Sequence, residues 1–571
     1  EILINEDVKI YSGKEVTIKN LKFKFNSNKK LIIEPGAKLV LDNSVLTSVD
    51  NCEQSIMWQG IEVWGNRDLP QYPESNQGVI ELKNGAIIEN ALNAIRTINS
   101  LGDIDDDGNE DFDWAYTGGI IHAKDANFIN NRKAIEFLSY HNILPNGSEI
   151  ANSSYFYNCT FETNAQLSDP ATLPETFVSL YDVKGVKFLG CTFQNTAPTG
   201  VYSTIHRGNG ITSVDASYEV KPLCLNPYIY PCTEYQPNTF QNLYYGIDAS
   251  NTNPAITLTI NGNNFDNNHR SIFLKSINNA TITKNNFDIG ATIGNINDQT
   301  NEREACDVFN RSYSYGVYLK ECSGYKVEEN NFSTTHDGHA GIIVDNSGTK
   351  ANEIYNNTFD KLAIGTQAQG INAAGGVIIS KSSNPEHIEI NVGQGLQFLC
   401  NQYFNISSAD IAVTSGRIAQ NQGYCYDNNP TLPAGNKFSH TCNISTSDIH
   451  VNSDASKFNY NHHSEPDDYV PQCYSSDKVT LHDCDIEYDS QISCPSHLNS
   501  GLTPVVLKQI INTNNLEIEE LISLIDNGET ETLLAQIHQD EEPERIKNAL
   551  ESASPYLSDR VLLAAIKEKP T

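Results

Sequence analysis

The chain is short of three things, and each shortage removes a class of explanation. It holds one methionine, Met57, and begins at Glu1, as expected of a mature protein whose export signal has been removed; a piece cut from a longer protein would look the same. Basic residues are scarce: 38 Lys and Arg face 71 Asp and Glu, a formal net charge of −33. That balance excludes a nucleic-acid binder, which needs a basic footprint to displace counterions. It also disfavours simple electrostatic capture of polyanions such as pectate or alginate, unless a metal ion reverses the local field. Long apolar runs are missing too, so no segment is expected to span a membrane. Gly-rich phosphate loops, nucleophile elbows and HExxH are absent from the sequence.

What is present can still build a long core. The chain is 39% hydrophobic and carries 27 Tyr and 21 Phe, too many for a disordered protein. Its 13 cysteines include no CxxC pair and no tight Cys/His cluster, which makes a zinc site improbable. Cys224 with Cys232, and Cys306 with Cys322, read as local disulfides formed in an oxidising compartment. The odd count leaves at least one thiol free or bonded to another chain.

One phrase recurs, an Asn-rich turn followed by Phe. It appears as Asp125-Ala-Asn-Phe128, Asn158-Cys-Thr-Phe161, Gly190-Cys-Thr-Phe193 and Pro237-Asn-Thr-Phe240, then as Gly262-Asn-Asn-Phe265, Lys284-Asn-Asn-Phe287, Glu329-Asn-Asn-Phe332 and Asn356-Asn-Thr-Phe359. Weaker copies end at Phe404 and Phe438. The gaps from Phe240 to Phe265 and on to Phe287 are 25 and 22 residues, and that from Phe287 to Phe332 is 45, about two units. Between these copies lies a second phrase, a small residue followed by alternating apolar positions: Gly246-Ile-Asp-Ala, Ser271-Ile-Phe-Leu, Gly316-Val-Tyr-Leu, Gly341-Ile-Ile-Val and Asp410-Ile-Ala-Val. Units this short have no room for a helix and are too short for propeller blades of about 40–45 residues. The fold expected is an all-β, right-handed parallel β-helix over 1–470. Its corner Asn residues should hydrogen-bond from coil to coil. Cys159 and Cys191 hold one place in neighbouring copies and could be stacked thiols or an inter-coil disulfide.

Short strands also open the chain: Glu15-Val-Thr-Ile-Lys, Lys22-Phe-Lys-Phe, and Leu31 through Leu41. The run from Pro35-Gly-Ala-Lys-Leu through Trp58-Gln-Gly-Ile-Glu-Val-Trp resembles the opening of secreted right-handed β-helix proteins of Bacteroidetes. The resemblance extends loosely to about residue 465. It implies a cell-surface or released protein of the kind exported by the type IX secretion system.

Alternation gives way to helical spacing near residue 500, with Val505, Leu507, Ile510, Leu516, Leu521, Ile522 and Ile525 as an apolar set. Further helices are expected over Glu529–His538, Pro543–Glu551 and Ser558–Lys567. A cysteine-rich closing segment at 471–502 and a small C-terminal α-helical module at 503–571 are therefore expected. The phrase from Ser552-Ala-Ser-Pro-Tyr-Leu is similar to a helical stretch that follows the β-helix in large Bacteroidetes surface proteins, where it precedes further domains and a sorting domain. No such sorting domain follows before Thr571, which departs from that pattern.

The strongest chemical motif is the Asp-rich loop 103–113. Asp103, Asp105 and Asp107 alternate, Gly108 permits a sharp turn, Asn109 offers a carbonyl, and Asp111 and Asp113 could complete an oxygen shell for structural calcium. Trp114 stands where an EF-hand has its bidentate Glu, so the loop looks closer to those of extracellular repeat proteins; a solvated acidic loop is the plain alternative. For glycan cleavage, candidate bases are Lys275, Lys320, Lys381, His269-Arg270 and His336 with His339, and His462 and His463 near Glu465 could ligate a metal. No two basic residues are expected at matching coil positions with an acidic partner, and no catalytic set or organic cofactor site can be placed. The reading is an adhesin or structural shaft of an extracellular assembly, non-enzymatic; the alternative is a polysaccharide lyase or glycoside hydrolase. Expected partners are copies of itself, other surface subunits and surface glycans.

Overall fold

The computed structural model describes residues 1–49, 57–104, 109–226, 232–253, 256–293, 313–374, 379–381, 388–390, 395–425, 429–440, 442–443, 445–498, 530–539, 543–553 and 557–568. Two units are present, Glu1–Ser496 and His497–Thr571. The first is a right-handed parallel β-helix. Each coil lends a short strand to three parallel sheets in turn: sheet 1 starting at Ile2–Ile4, sheet 2 at Val8–Ile10 and sheet 3 at Glu15–Lys19.

The two recurring phrases are two halves of one packing solution. Phe128, Phe161, Phe193, Phe240, Phe265, Phe287, Phe332, Phe359 and Tyr403 point inward from sheet 1 and stack with centroids 4.5–5.1 Å apart. Opposite them on sheet 2 stand Gly246, Gly316, Gly341 and Gly365. A Cβ at Gly316 would lie 2.6 Å from the Phe332 ring, so glycine is needed there for space, not for backbone freedom. The weak copy expected at Phe404 is displaced by one residue. Tyr403 pairs in register with Phe359 and carries the stack, while Phe404 faces outward, because one residue of slip moves a strand side chain to the other face.

Before each inward Phe the corner between sheets 3 and 1 holds a buried Asn. Asn238, Asn263, Asn285, Asn330, Asn357, Asn401 and Asn436 each donate Nδ2–H to the Oδ1 of the next, at 2.8–3.3 Å, and Asn436 ends the series on the Tyr460 hydroxyl at 3.0 Å. The residue ahead of each corner is commonly left-handed, with φ of 56° at both Lys284 and Glu329. Earlier coils put Ser44, Ala86, Ala126, Cys159 and Cys191 at the equivalent corner. Cys159 and Cys191 are free buried thiols. The Cys191 thiol donates to the Phe156 carbonyl at 3.2 Å, the job that Nδ2 of Asn238 does toward Phe188 at 3.2 Å.

Disulfides join Cys224 to Cys232, Cys400 to Cys494, Cys425 to Cys484 and Cys442 to Cys473. The first was expected. Cys322 is instead a free buried thiol whose Sγ lies against the Leu274 and Lys320 carbonyls; its expected partner, Cys306, lies outside the described residues. The last three bonds fasten the closing segment, which doubles back over earlier coils. There Tyr355 donates to the Pro495 carbonyl at 2.8 Å and Ser496 meets Glu329.

The second unit contains helices Thr530–Gln539, Pro543–Ala553 and Asp559–Glu568, packed through Leu533, Leu534, Ile537, Ile546 and Val561. The apolar set from Val505 to Ile525 lies outside the described residues. Among the described residues no helix is long and apolar enough to cross a membrane. Four disulfides are the mark of an oxidising, extracytoplasmic compartment.

Candidate functional site

Side chains two apart on a strand share a face, so the outer face of sheet 2 can be read coil by coil. One file runs Ile32, Glu62, Arg96, Glu136, Ser179, Thr212, Asp248, Phe273, Tyr318, Ile343, Gln367. Beside it, over the later coils, runs Ser250, Lys275, Lys320, Asp345, Gln369.

Over the early coils this face is a closed ionic network. Glu62, Arg96 and Glu136 are 4–6% exposed. Lys30 Nζ lies 2.8 Å from Glu62, the Trp64 indole donates to Glu62 at 2.9 Å, and Lys133 Nζ lies 2.9 Å from Glu136. Arg96 reaches Glu136 at 3.4 Å and forks onto Glu110. Burial opposes its charge, but Glu110 and Glu136 outweigh burial and hold its pKa above the ordinary value.

Glu110 belongs to the hairpin Asn99–Gly102/Asp111–Asp113, whose tip is the Asp-rich loop. Of the six expected ligands, Asp105 and Asp107 lie outside the described residues. Asp103 and Asn109 are exposed at the tip. Asp111 Oδ2 accepts from the Ile104 amide at 2.9 Å and Asp113 caps Ala115 at 3.2 Å, so each has one carboxylate oxygen engaged. The hairpin is anchored from below by Arg96, which fixes the loop's base.

Further along, the chemistry of the face changes. Arg270 is buried among the rings of Tyr244, Tyr245 and Tyr315, 5.2–5.6 Å from their centroids. No two basic residues were expected at matching coil positions with an acidic partner; Lys275 does pair in register with Lys320, and Lys320 with Asp345, though neither lysine makes an ion pair among the described residues. The signal was present in the sequence, since both Ser271-Ile-Phe-Leu and Gly316-Val-Tyr-Leu are followed by Lys. His269 is buried against the Ala291 carbonyl, His339 stacks on Tyr313, and the side chain of Lys381 lies outside the described residues. His462 and His463 are engaged by the His463 and Pro430 carbonyls and do not converge on a common point.

On the outer face of sheet 1, Asp266 and Asp288 pair in register on neighbouring coils. Burial, then the Asp288 carboxylate, raises the Asp266 pKa; Asp288 accepts from the Thr335 amide and hydroxyl, with His336 3.7 Å away. Among the described residues only Cys442, Asp448 and Cys473 converge as metal-type ligands, and their sulfurs are joined in a disulfide.

A third feature is built from loops that follow sheet 2. The loop at 64–78 and the hairpin Asn142–Ile143/Glu149–Ile150 are sewn together by Gln71, whose amide groups bond Asn142, Ser153 and Gly118 at 2.7–3.0 Å. They flank a cleft of about 490 Å³ lined by Arg67, Asp68, Leu69, Pro70, His141 and Ile143. The His141 ring lies between Glu149 at 2.7 Å and Asp182 at 3.2 Å, which leaves neither nitrogen open for proton transfer.

The family described as periplasmic copper-binding protein (NosD) matches residues 179–373. No curated protein matches. Among solved structures, DFA-IIIase from Arthrobacter chlorophenolicus A6 is 10% identical, with 84% of this chain and 89% of that chain covered and a TM-score of 0.25. PfbA, a surface adhesin of Streptococcus pneumoniae, is 8% identical, with 68% and 85% covered and a TM-score of 0.25. The periplasmic alginate epimerase AlgG is 10% identical, with 83% and 75% covered and a TM-score of 0.19. Likeness at this level transfers no activity, and adhesins and enzymes stand side by side in it.

Proposed function

We propose that this protein is an exported, cell-surface or released β-helix, an adhesin or stiff shaft of an extracellular assembly that meets glycans on its lateral faces. The observation that carries the reading is the pair of internal ladders, stacked rings and linked Asn amides, which hold the outer faces in fixed register over many coils. A rod of that kind suits multipoint contact with a polymer or with neighbouring subunits. The resemblance of its first coils adds export by a type IX system. Structural calcium belongs to the same reading, with Asp103, Asp105, Asp107, Asn109, Asp111 and Asp113 as the shell. The ion would supply charge neutralisation at the hairpin tip. Incubating the full chain with a panel of extracellular polysaccharides tests the reading: retention without new reducing or unsaturated ends supports it. Release of oligosaccharides would overturn it.

That outcome would favour the second reading, a glycoside hydrolase. Its specific support is the Asp266–Asp288 pair on neighbouring coils, in which burial and the adjacent carboxylate raise the Asp266 pKa while Asp288 accepts hydrogen bonds from Thr335; acid–base cleavage uses two carboxyls in unlike surroundings.

A further inference from the structure

We infer that the outer face of sheet 2 at Lys275 and Lys320 is a binding site for a carboxylate-bearing sugar, a uronate unit of an extracellular glycan; this rests on the glycan-binding reading above. The chain carries 71 acidic residues against 38 basic ones, so a cation on its surface should find a carboxylate with ease. Over the early coils of the same face every named cation does: Lys30 has Glu62, Arg96 has Glu110 and Lys133 has Glu136.

Lys275 and Lys320 do not. They are Cα partners on adjacent strands, about 4.8 Å apart as strands are, and like charges opposite each other destabilise a sheet. Neither makes an ion pair among the described residues. Asp345, next in the file, could have neutralised Lys320. Its oxygens are taken instead by the Tyr318 hydroxyl at 2.9 Å and the Asn346 amide at 2.8 Å. The same Tyr318 oxygen accepts from Gln369 at 2.9 Å, so the acid is held away from the lysines by a fixed network.

An anion placed between the two ammonium groups relieves their repulsion, and each offers three donors as a compact point charge. On the same face, two residues along each strand, stand Phe273 and Tyr318, with centroids 5.5 Å apart. Phe273 is half-buried and offers a ring surface beside the cations. Paired ammonium groups beside an aromatic ring fit a pyranose carrying a carboxylate better than a free inorganic anion. The net charge of −33 opposes approach of such a ligand at low ionic strength. At about 150 mM salt the Debye length is about 8 Å, and the local field decides.

The test is calorimetric titration of the full chain with trigalacturonate, with neutral cellotriose and with inorganic sulfate, at about 150 mM NaCl. Trigalacturonate should bind, and the other two should not. The Lys275→Gln/Lys320→Gln double variant should lose at least about tenfold in affinity, while Lys83→Gln, which removes a cation already paired with Glu81, should not change it. The double variant should melt no lower than wild type, because neither lysine side chain makes an ion pair and the substitution removes their mutual repulsion. Unchanged affinity in the double variant, equal binding of sulfate, or no binding of trigalacturonate would overturn the inference. If trigalacturonate fails while a neutral polysaccharide of the panel is retained, this site falls and the adhesin reading survives.

Discussion

The coils before Cys191 and those after Asn238 solve the same mechanical problem in different places. Each coil must be tied to the next by more than backbone hydrogen bonds. In the later coils the tie is internal, a file of buried Asn amides. In the early coils that corner holds Ala86, Ala126 and Cys159; the rings of Phe128, Phe161 and Phe193 still stack inside, but the polar ties lie outside, in the ionic file on sheet 2 and in loops stitched by Gln71 and Gln77. Internal ties leave the exterior free to vary; external ties consume it. On the outer face of sheet 2 the unpaired Lys275 and Lys320 accordingly lie over the later coils, and the closed ionic network over the early ones.

The contrast can be broken from either side. Asn330→Ala removes one rung: the buried Asn285 N–H loses its acceptor, and the side-chain amides of Asn285 and Asn357 lose one bond each, so it should destabilise the rod by about 2–4 kcal/mol. Denaturant melts should show that loss. Gln71→Ala keeps the backbone bond to Asn142 but leaves the Ser153 N–H and the Gly118 carbonyl short of a partner and should cost about 1–3 kcal/mol. Its effect should stay local, appearing first as protease cleavage within 64–78 or 142–150. If both variants melted the whole chain equally, the separation of internal and external ties would be wrong.

The inner Gly file also changes at its end, where Asp410 and Asp448 replace glycine. Asp410 accepts from the Ser439 amide and hydroxyl at 2.7 Å each and shares its surroundings with Asp448, Tyr403 and Tyr460. His440 lies 3.1 Å from Asp448. Burial pushes the Asp410 carboxyl up to about 7. A group whose folded pKa is raised binds protons on folding, so its stabilising contribution is whole below about pH 4 and is lost as pH rises through 7. Asp410→Asn should therefore flatten the pH dependence of stability between pH 4 and 7, and above pH 7 should exceed wild type by on the order of 1–3 kcal/mol. Melting curves across that range check it, and a variant with the wild-type slope would remove Asp410 as the cause.

Smaller still is the effect expected at the calcium loop, where Asp105→Asn/Asp107→Asn should lower the melting temperature in calcium and leave it unchanged in chelator. An equal effect in both conditions would mean a solvated loop. Least of all should be felt from Cys191→Asn. The thiol already occupies the Asn position and makes its carbonyl contact, so the substitution should lie within about 1 kcal/mol of wild type and extend the amide ladder by one coil.

The fold was legible because its two phrases recur at coil length and state their own packing: Asn turns the corner, Phe fills the interior, Gly makes room for Phe. Local disulfides were half legible. Cys224 and Cys232 flank a short loop and pair, whereas Cys322 is turned inward by strand alternation, which spacing alone does not report. Phe404 misled for the same reason, since a period of two carries no information on which of two adjacent aromatics faces in. The lysine pair was hidden because Lys275 and Lys320 stand 45 residues apart and become neighbours only when the insertion between their coils is discounted.

The sequence by itself determined the solenoid, its corners, its core and the helical character of the last segments, because these follow from short-range periodicity and the geometry of single residue types. Tertiary structure alone decided which charges are satisfied and which are left open. That depends on lateral register between coils, and register is set by how each coil stacks on the last.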